Sequence, residues 1–147
     1  EVSEDVKALL RTTKESLYKG IEKAVDGMRL GDVSFAIQSH CEERGYSVVR
    51  EMVGHGIGRA MHEEPEVPNY GRRGNGLKLK SGMVIAIEPI INICKRNIRI
   101  DRDGWTARTV DGMPAAHFEH TVAIRKGQAD ILSSFEYIEQ ILGINAI

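Results

Sequence analysis

Up to Arg44 the apolar residues of this chain return at helical spacing, and from Tyr46 onward they return at spacing two. No other feature limits the fold as much, because a helix buries a stripe and a strand buries alternate residues. In "SEDVKALLRTTKESLYKGIEKAV" the stripe is Val6, Leu10, Leu17, Ile21 and Val25, with Ser3 as cap and Glu4 and Asp5 in the first turn. A first helix is predicted within Ser3–Val25, ended by Asp26-Gly27. A second is predicted over Val33–Arg44, with Val33, Ala36, Ile37 and Cys41 apolar, Asp32 as N-cap and Gly45 as stop. Two successive helices with one apolar face each need a third surface to cover.

The later segments "YSVVREM", "MVIAIEP", "IINICKRN", "WTARTV", "FEHTVAI" and "ADILSS" supply it as short strands. Turns are expected at Lys80-Ser81-Gly82, Asp103-Gly104 and Asp111-Gly112, and the Pro- and Gly-containing residues 63–76 read as loop. A short helix with Tyr137, Ile138 and Ile141 apolar is expected after Ser134. The fold class is therefore α+β, two helices on one face of a curved, mostly antiparallel sheet. The uncovered face is where a site would lie.

A chain of 147 residues, 41% hydrophobic, suits one compact domain. Its 20 basic and 21 acidic side chains leave no electrostatic footprint for nucleic acid or an anionic membrane. No apolar run approaches the roughly 18 residues of a membrane span, and no signal peptide is evident, so a cytoplasmic location is expected. Cys41 and Cys94 lack metal-type spacing and read as reduced, buried small hydrophobes, with a single disulfide as the alternative. The first residue is Glu1 rather than an initiator Met, so a trimmed chain or part of a longer one is expected.

The stretch "GHGIGRAMHEEPEVPNYG" begins at residue 54. His55 stands between two glycines, which allow backbone to approach a ligand closely, at the predicted end of the strand holding Val48 and Val49. His62 follows the next glycine turn. Either histidine alone reads as a turn or surface residue, and "HEEPE" lacks the second histidine of a zinc-protease helix. Glu88 adds a stronger signal. In "MVIAIEP", Met83, Ile85 and Ile87 share one face and Val84, Ala86 and Glu88 the other, so a doubly apolar strand ends in a carboxylate. Such a group must find a cation, hydrogen bonds or a proton. Glu119 repeats the situation in "HFEHTVAI", sharing a face with His117 and Thr121, unless it pairs with Arg108 or Arg125. Together His55, Glu88 and Glu119 read as a metal site of one imidazole and two carboxylates, suited to Mn, Fe, Co or Zn rather than a thiolate site. Phosphate-loop, dinucleotide, nucleophilic-serine and C-x-x-C motifs are absent. Trp105 reads as a packing residue or as a hydrophobic wall beside the site.

These residues in this order resemble the methionine aminopeptidases. The matching stretches are "SVVREMVGHGIGRAMHEEPEVPNYG", "LKSGMVIAIEPIIN", "DGWTARTVDGMPAAHFEHTVAI" and, more loosely, "TKESLYKGIEKAV". The short interval between Glu88 and Glu119 resembles the bacterial, type I enzymes. Prolidase and aminopeptidase P share the fold and the first two motifs, whereas "AAHFEHTV" looks like the methionine enzymes. The resemblance implies the pita-bread (creatinase/aminopeptidase) fold, two similar halves facing one another across two divalent metal ions. It implies His55 and Glu88 as ligands of one metal and Glu119 as a ligand bridging both; Glu88, a carboxylate beside the bridging water, is also the candidate catalytic proton shuttle. His62 would be catalytic, hydrogen-bonding the substrate near the scissile peptide, while Trp105 and Met61 would line the methionine pocket. Met61 stands where many type I members carry an aromatic residue.

The family also uses two aspartate ligands from a D-x10-D pattern, and none of Asp5, Asp26, Asp32, Asp101, Asp103, Asp111 and Asp130 sits in such a context. Residues 1–147 are therefore expected to be the C-terminal half of a methionine aminopeptidase-like catalytic domain. The implied activity of an intact enzyme is removal of the initiator methionine from nascent polypeptides, with the ribosome as partner, and this chain alone is expected to be inactive. Val84, Ala86 and Thr121 are expected to expose an apolar seam, through which the chain pairs with its N-terminal half or self-associates. The rival readings are a non-catalytic pita-bread protein-binding module and an aminopeptidase P or prolidase-like peptidase.

Overall fold

The structure, a computed structural model, describes residues 2–143 and residue 147. Helix α1, Glu4–Ile21, starts where the Ser3 hydroxyl accepts from the Val6 amide. Its buried face is built from Leu9, Thr12, Thr13, Ser16, Leu17, Gly20 and Ile21, so Leu17 and Ile21 of the expected stripe are buried, Val6 and Leu10 are half-buried, and the face is more polar than expected. The hydroxyls of Thr13 and Ser16 bond back to the Leu9 and Thr13 carbonyls at 2.8 and 2.7 Å, so their burial leaves no donor unsatisfied. The helix ends at Ile21, before Val25, because the Lys23 and Ala24 amides tighten onto the Gly20 and Ile21 carbonyls.

Helix α2, Leu30–Glu42, begins earlier than predicted. Asp32 is not its N-cap but lies within its first turn. The carboxylate reaches back to the Arg29 amide at 2.9 Å and across to the Gly74 amide at 2.8 Å. Gly45, at φ +81°, ends it as expected.

The strands are β1 Ser47–Val48, β2 Gly54–Gly56, β3 Glu63–Val67, β4 Val84–Ile87, β5 Ile90–Asn92, β6 Ile98–Ile100, β7 Ala107–Thr109, β8 Ala115–His117, β9 His120–Ala123 and β10 Asp130–Ile131. A three-stranded sheet runs β1-β5-β8, a five-stranded sheet β10-β9-β4-β2-β3, and β6-β7 is a separate hairpin. All these pairings are antiparallel. Helix α3, Glu136–Leu142, closes the order with Tyr137, Ile138 and Ile141 exposed.

Several segments are placed differently from the expectation. His55 lies on its own strand, β2, separated by a bend from the one holding Val48. Glu63–Val67 is a strand rather than loop: it is the sheet's edge, pairing only with β2, and an edge tolerates Pro65, which has no amide to donate. Strands β6 and β8 are also additional to those expected.

Leu17, Ile21, Leu30, Val33 and Ile37 of the helices pack on Ile85, Ile87, Val122 and Ile124 of the larger sheet. Leu9 and Cys41 pack on Val48, Ile91 and Ala116 of the smaller one. The helices thus cover the face carrying Ile85 and Ile87, and Glu88 is left on the other. The chain crosses from one sheet to the other three times: β1 to β2, β4 to β5, and β8 to β9. Glu88 and Glu119 stand at the last two crossings. The expected apolar seam is smaller than foreseen, because Ala86 is fully buried and Val84 and Thr121 are half-buried.

Both cysteines are free, Cys41 buried and Cys94 exposed, so only Cys41 is the buried hydrophobe expected. Burial pushes the Cys41 thiol up to about 11. One thiol equivalent, Cys94, should therefore react rapidly with a disulfide reagent on the native protein, and a second only after denaturation. Two fast equivalents would contradict the packing of Cys41 against α1.

Candidate metal centre

Glu88 follows the last residue of β4, and Pro89, buried and unable to donate, turns the chain into β5. The fully buried Asn69 donates its amide to the Glu88 carbonyl at 3.0 Å, which fixes the backbone at this crossing. The Glu88 side chain is only 15% exposed and faces two imidazoles. Its Oε1 lies 3.7 Å from His55 Nε2, and its Oε2 lies 3.4 Å from His117 Nε2.

His55 is carried by β2, whose neighbours β3 and β4 press on it from both sides. A Cβ on Gly54 would sit 2.3 Å from the Ala86 carbonyl oxygen, and one on Gly56 would sit 2.2 Å from that of Glu64. The glycines are thus needed for strand contact as well as for access. His55 Nδ1 lies 2.9 Å from the Gly56 carbonyl oxygen, which accepts a hydrogen bond from Nδ1–H and so leaves the Nε2 lone pair free to bind a metal.

Glu119 lies between β8 and β9. The alternative partners fall away, because Arg108 pairs with Asp101 at 2.5 Å and Arg125 with Asp130 at 2.7 Å. Glu88, His117 and Glu119 each offer a ligand atom, all within 4.8 Å of one another. Glu119 is exposed rather than buried, so the cost of burying a charge applies to Glu88 and not to it. Next along the chain, His120 turns to the helix side, with Nε2 3.2 Å from the Tyr18 hydroxyl and Nδ1 2.7 Å from Ser133 Oγ. Burial, with Lys14 nearby, holds its imidazole below the ordinary histidine value.

His62 approaches the group from the β2–β3 turn, its ring centroid 4.2 Å from that of His55 at 60°. Met61 and Trp105 stand open to solvent, 73% and 90% exposed, Trp105 at the tip of the β6–β7 hairpin. Asp103 makes that tip: its carboxylate accepts from the Thr106 hydroxyl and the Trp105 and Thr106 amides, which hold it down at about 2. Four other aspartates are occupied in similar ways. Asp26 caps the Ser81 amide, Asp111 holds the Lys95 and Met113 amides, and Asp101 and Asp130 pair with arginines. None joins the cluster among the described residues.

The structure thus brings together His55, His62, Glu88 and Glu119, and adds His117, to which sequence reasoning gave no role. The available signal was its position two residues from Glu119 on the same strand face. Two carboxylates and two imidazole nitrogens, without a lysine or arginine partner among the described residues, fit a divalent cation of the Mn, Fe, Co or Zn kind.

Residues 1–126 match metallopeptidase family M24. The chain is 52% identical over 136 residues to the methionine aminopeptidase of Clostridium acetobutylicum, covering 92% of this chain and 54% of the relative. The structure superposes on methionine aminopeptidase from Thermotoga maritima with a TM-score of 0.88 at 48% identity, covering 90% of this chain and 53% of that one. It superposes on X-Pro aminopeptidase from Thermotoga maritima with a TM-score of 0.68 at 20% identity, covering 92% and 33%, a likeness of fold alone. The chain spans about half the length of the curated relatives it matches.

Proposed function

This chain belongs to metallopeptidase family M24 and has its pita-bread fold, and on that premise we propose that it is part of a methionine aminopeptidase. The reaction is removal of the initiator methionine from newly made polypeptides. The observation that carries this reading is the extent of the likeness. A match over 92% of the chain cannot leave out residues 55–119, so it runs through every member of the cluster. The 20% likeness to X-Pro aminopeptidase offers no comparable support for that activity.

Residues 1–147 form the C-terminal half of the catalytic domain, and two divalent ions, Co, Mn, Fe or Zn, would be held by His55, Glu88 and Glu119 with aspartates from the other half. When bound, the ions supply Lewis acidity towards a peptide carbonyl and lower the pKa of water. Glu88 takes a proton from the attacking water and passes it to the leaving amine, as a carboxylate beside that water can. His62, beside His55, donates a hydrogen bond to the carbonyl oxygen as charge develops there. Trp105 and Met61, open to solvent here, line the methionine pocket once the facing half is in place. The substrate is a newly made N-terminus, which places the enzyme at the ribosome, in the cytoplasm. Among the described residues no helix is long and apolar enough to cross a membrane.

The test is hydrolysis of Met-Ala-Ser and of Xaa-Pro peptides by the full-length protein, with and without Co2+ or Mn2+. Metal-dependent release of methionine is expected, with residues 1–147 alone inactive and binding at most one ion. Preference for Xaa-Pro peptides would transfer the assignment to the aminopeptidase P class, and cleavage of neither would favour a binding module. Light scattering of residues 1–147, alone and with the N-terminal half, reads the pairing or self-association directly.

A further inference from the structure

We propose that Ser133 and Phe135 are positioning residues for Glu119, clamping the connection between strands that carries this carboxylate. The proposal rests on the metal-centre reading above, in which Glu119 bridges the ions, and adds what holds that ligand in place. Phe118 and Glu119 lie between β8 and β9, so the ladders fix only the residues outside them. His117 pairs with Ile90 of β5, and His120 pairs with Ile87 of β4. Within the connection the Phe118 amide donates to the Pro89 carbonyl at 3.4 Å, a long bond. Glu119 is exposed, so its place follows from the backbone on either side rather than from packing of its own side chain. At the crossing that carries Glu88, the buried Asn69 steadies the backbone. At the crossing that carries Glu119, a later segment of the chain does so.

The Phe135 ring meets both chain neighbours of Glu119. Its centroid lies 5.7 Å from that of Phe118, edge-on at 79°, and 4.3 Å from that of His120 at 31°. Ser133 holds the residues that follow: its Oγ accepts from the Thr121 amide at 3.2 Å and lies 2.7 Å from His120 Nδ1. His120 is 2% exposed and its Nε2 lies 3.2 Å from the Tyr18 hydroxyl of α1, so the ring cannot swing without breaking a bond at one end. The clamp is itself anchored. The Leu132 amide donates to the Thr121 carbonyl at 2.8 Å. Lys14 of α1 stands 5.2 Å from the centroid of the Phe135 ring and pairs with Glu139 of α3 at 2.8 Å. Residues 118, 120 and 121 are thus gripped from one side, while Glu119 offers its carboxylate near Glu88 and His117. Both gripping residues lie beyond the stretch 1–126 that matches family M24, so that match does not itself account for them.

The experiment is calorimetric titration of the full-length, metal-free protein with Co2+, together with the visible spectrum of the Co2+ form. Phe135→Ala and Ser133→Ala are compared with wild type and with the conservative variants Phe135→Tyr and Ser133→Thr. Two controls accompany them. Ile37→Val shortens a fully buried side chain and reads what a softer core alone does to metal binding. Tyr137→Ser alters a residue of α3 that is 76% exposed. Circular dichroism checks folding, and Ser133→Ala, which removes only a hydroxyl, carries the test should Phe135→Ala fail to fold. The expected result is about tenfold weaker Co2+ binding in both alanine variants, the lower end of what removing groups that orient metal ligands costs. Altered absorption bands should accompany it, with affinity near wild type in the conservative variants and both controls. Wild-type affinity and spectrum in both alanine variants would overturn the clamp and leave the metal centre standing. An equal loss in Ile37→Val would overturn it too, by making the effect one of general stability. Absence of metal binding by the wild-type protein would overturn the metal centre and the clamp together.

Discussion

Replacing Glu88 with glutamine is expected to weaken divalent-metal binding by the full-length protein at least about a hundredfold, and to lower turnover of Met-Ala-Ser by roughly 10²–10⁴-fold, the range of a lost general base. The substitution keeps the side chain's size and removes its charge. Every neighbour that gives Glu88 a purpose needs that charge, because His55 and His117 face its two oxygens and no lysine or arginine does among the described residues. A second readout separates this from a structural role. In the metal-free protein a carboxylate 15% exposed, with no lysine or arginine against it among the described residues, carries a desolvation cost. Glutamine avoids it, so the metal-free thermal midpoint should stay level or rise as metal binding collapses. A lower midpoint with metal affinity intact would mean that Glu88 supports the fold and not an ion.

The second large effect is expected from Gly54→Ala. In a strand, alanine in place of glycine ordinarily gains about 0.5–1 kcal/mol through the unfolded chain. Here the added Cβ would lie 2.3 Å from the Ala86 carbonyl oxygen and 3.2 Å from Val67 Cβ. The first obstacle is backbone in the middle of the larger sheet and cannot rotate away. β2 must then separate from β4, at an expected cost above about 3 kcal/mol, the upper end of ordinary overpacking. For a chain of this length that lowers the thermal midpoint by roughly 6–12 °C. His55 moves with β2, so metal affinity should fall as well, although the substitution touches no ligand. A variant with wild-type stability would show that the β2–β4 contact is looser than the structure places it.

Much of the frame was readable from order along the chain. The change of period at Tyr46 separated helices from strands, because burial on one side imposes its own spacing. The turns at Gly82, Gly104 and Gly112 were legible for a local reason: all three adopt positive φ, 97°, 71° and 72°, where a side chain is strained. Alternation also placed Glu88 opposite Ile85 and Ile87, which is where it lies. Local rules misplaced what depends on a neighbour. Asp32 has the residue type of an N-cap, yet its position within α2 follows from the Gly74 amide, 42 residues away. Pro65 marks a loop by composition, but lies in a strand because β3 has a sheet partner on one side only.

For the site, the amino-acid sequence determined the chemical types, an imidazole set between glycines and two carboxylates ending apolar strands, together with the family they resemble. It also determined that no aspartate pair of the required spacing is present. Only the tertiary structure decided which of these groups meet. His55 comes from β2, and Glu88 and Glu119 from two separate crossings between the sheets, so the distances between them are set by ladder register and by the buried Asn69, not by spacing along the chain. The same register made His117 a member of the cluster, left Glu119 exposed, and engaged Arg108 and Arg125 with other carboxylates. Strand alternation specifies the face a side chain takes, whereas convergence at one point depends on how strands from distant segments are paired.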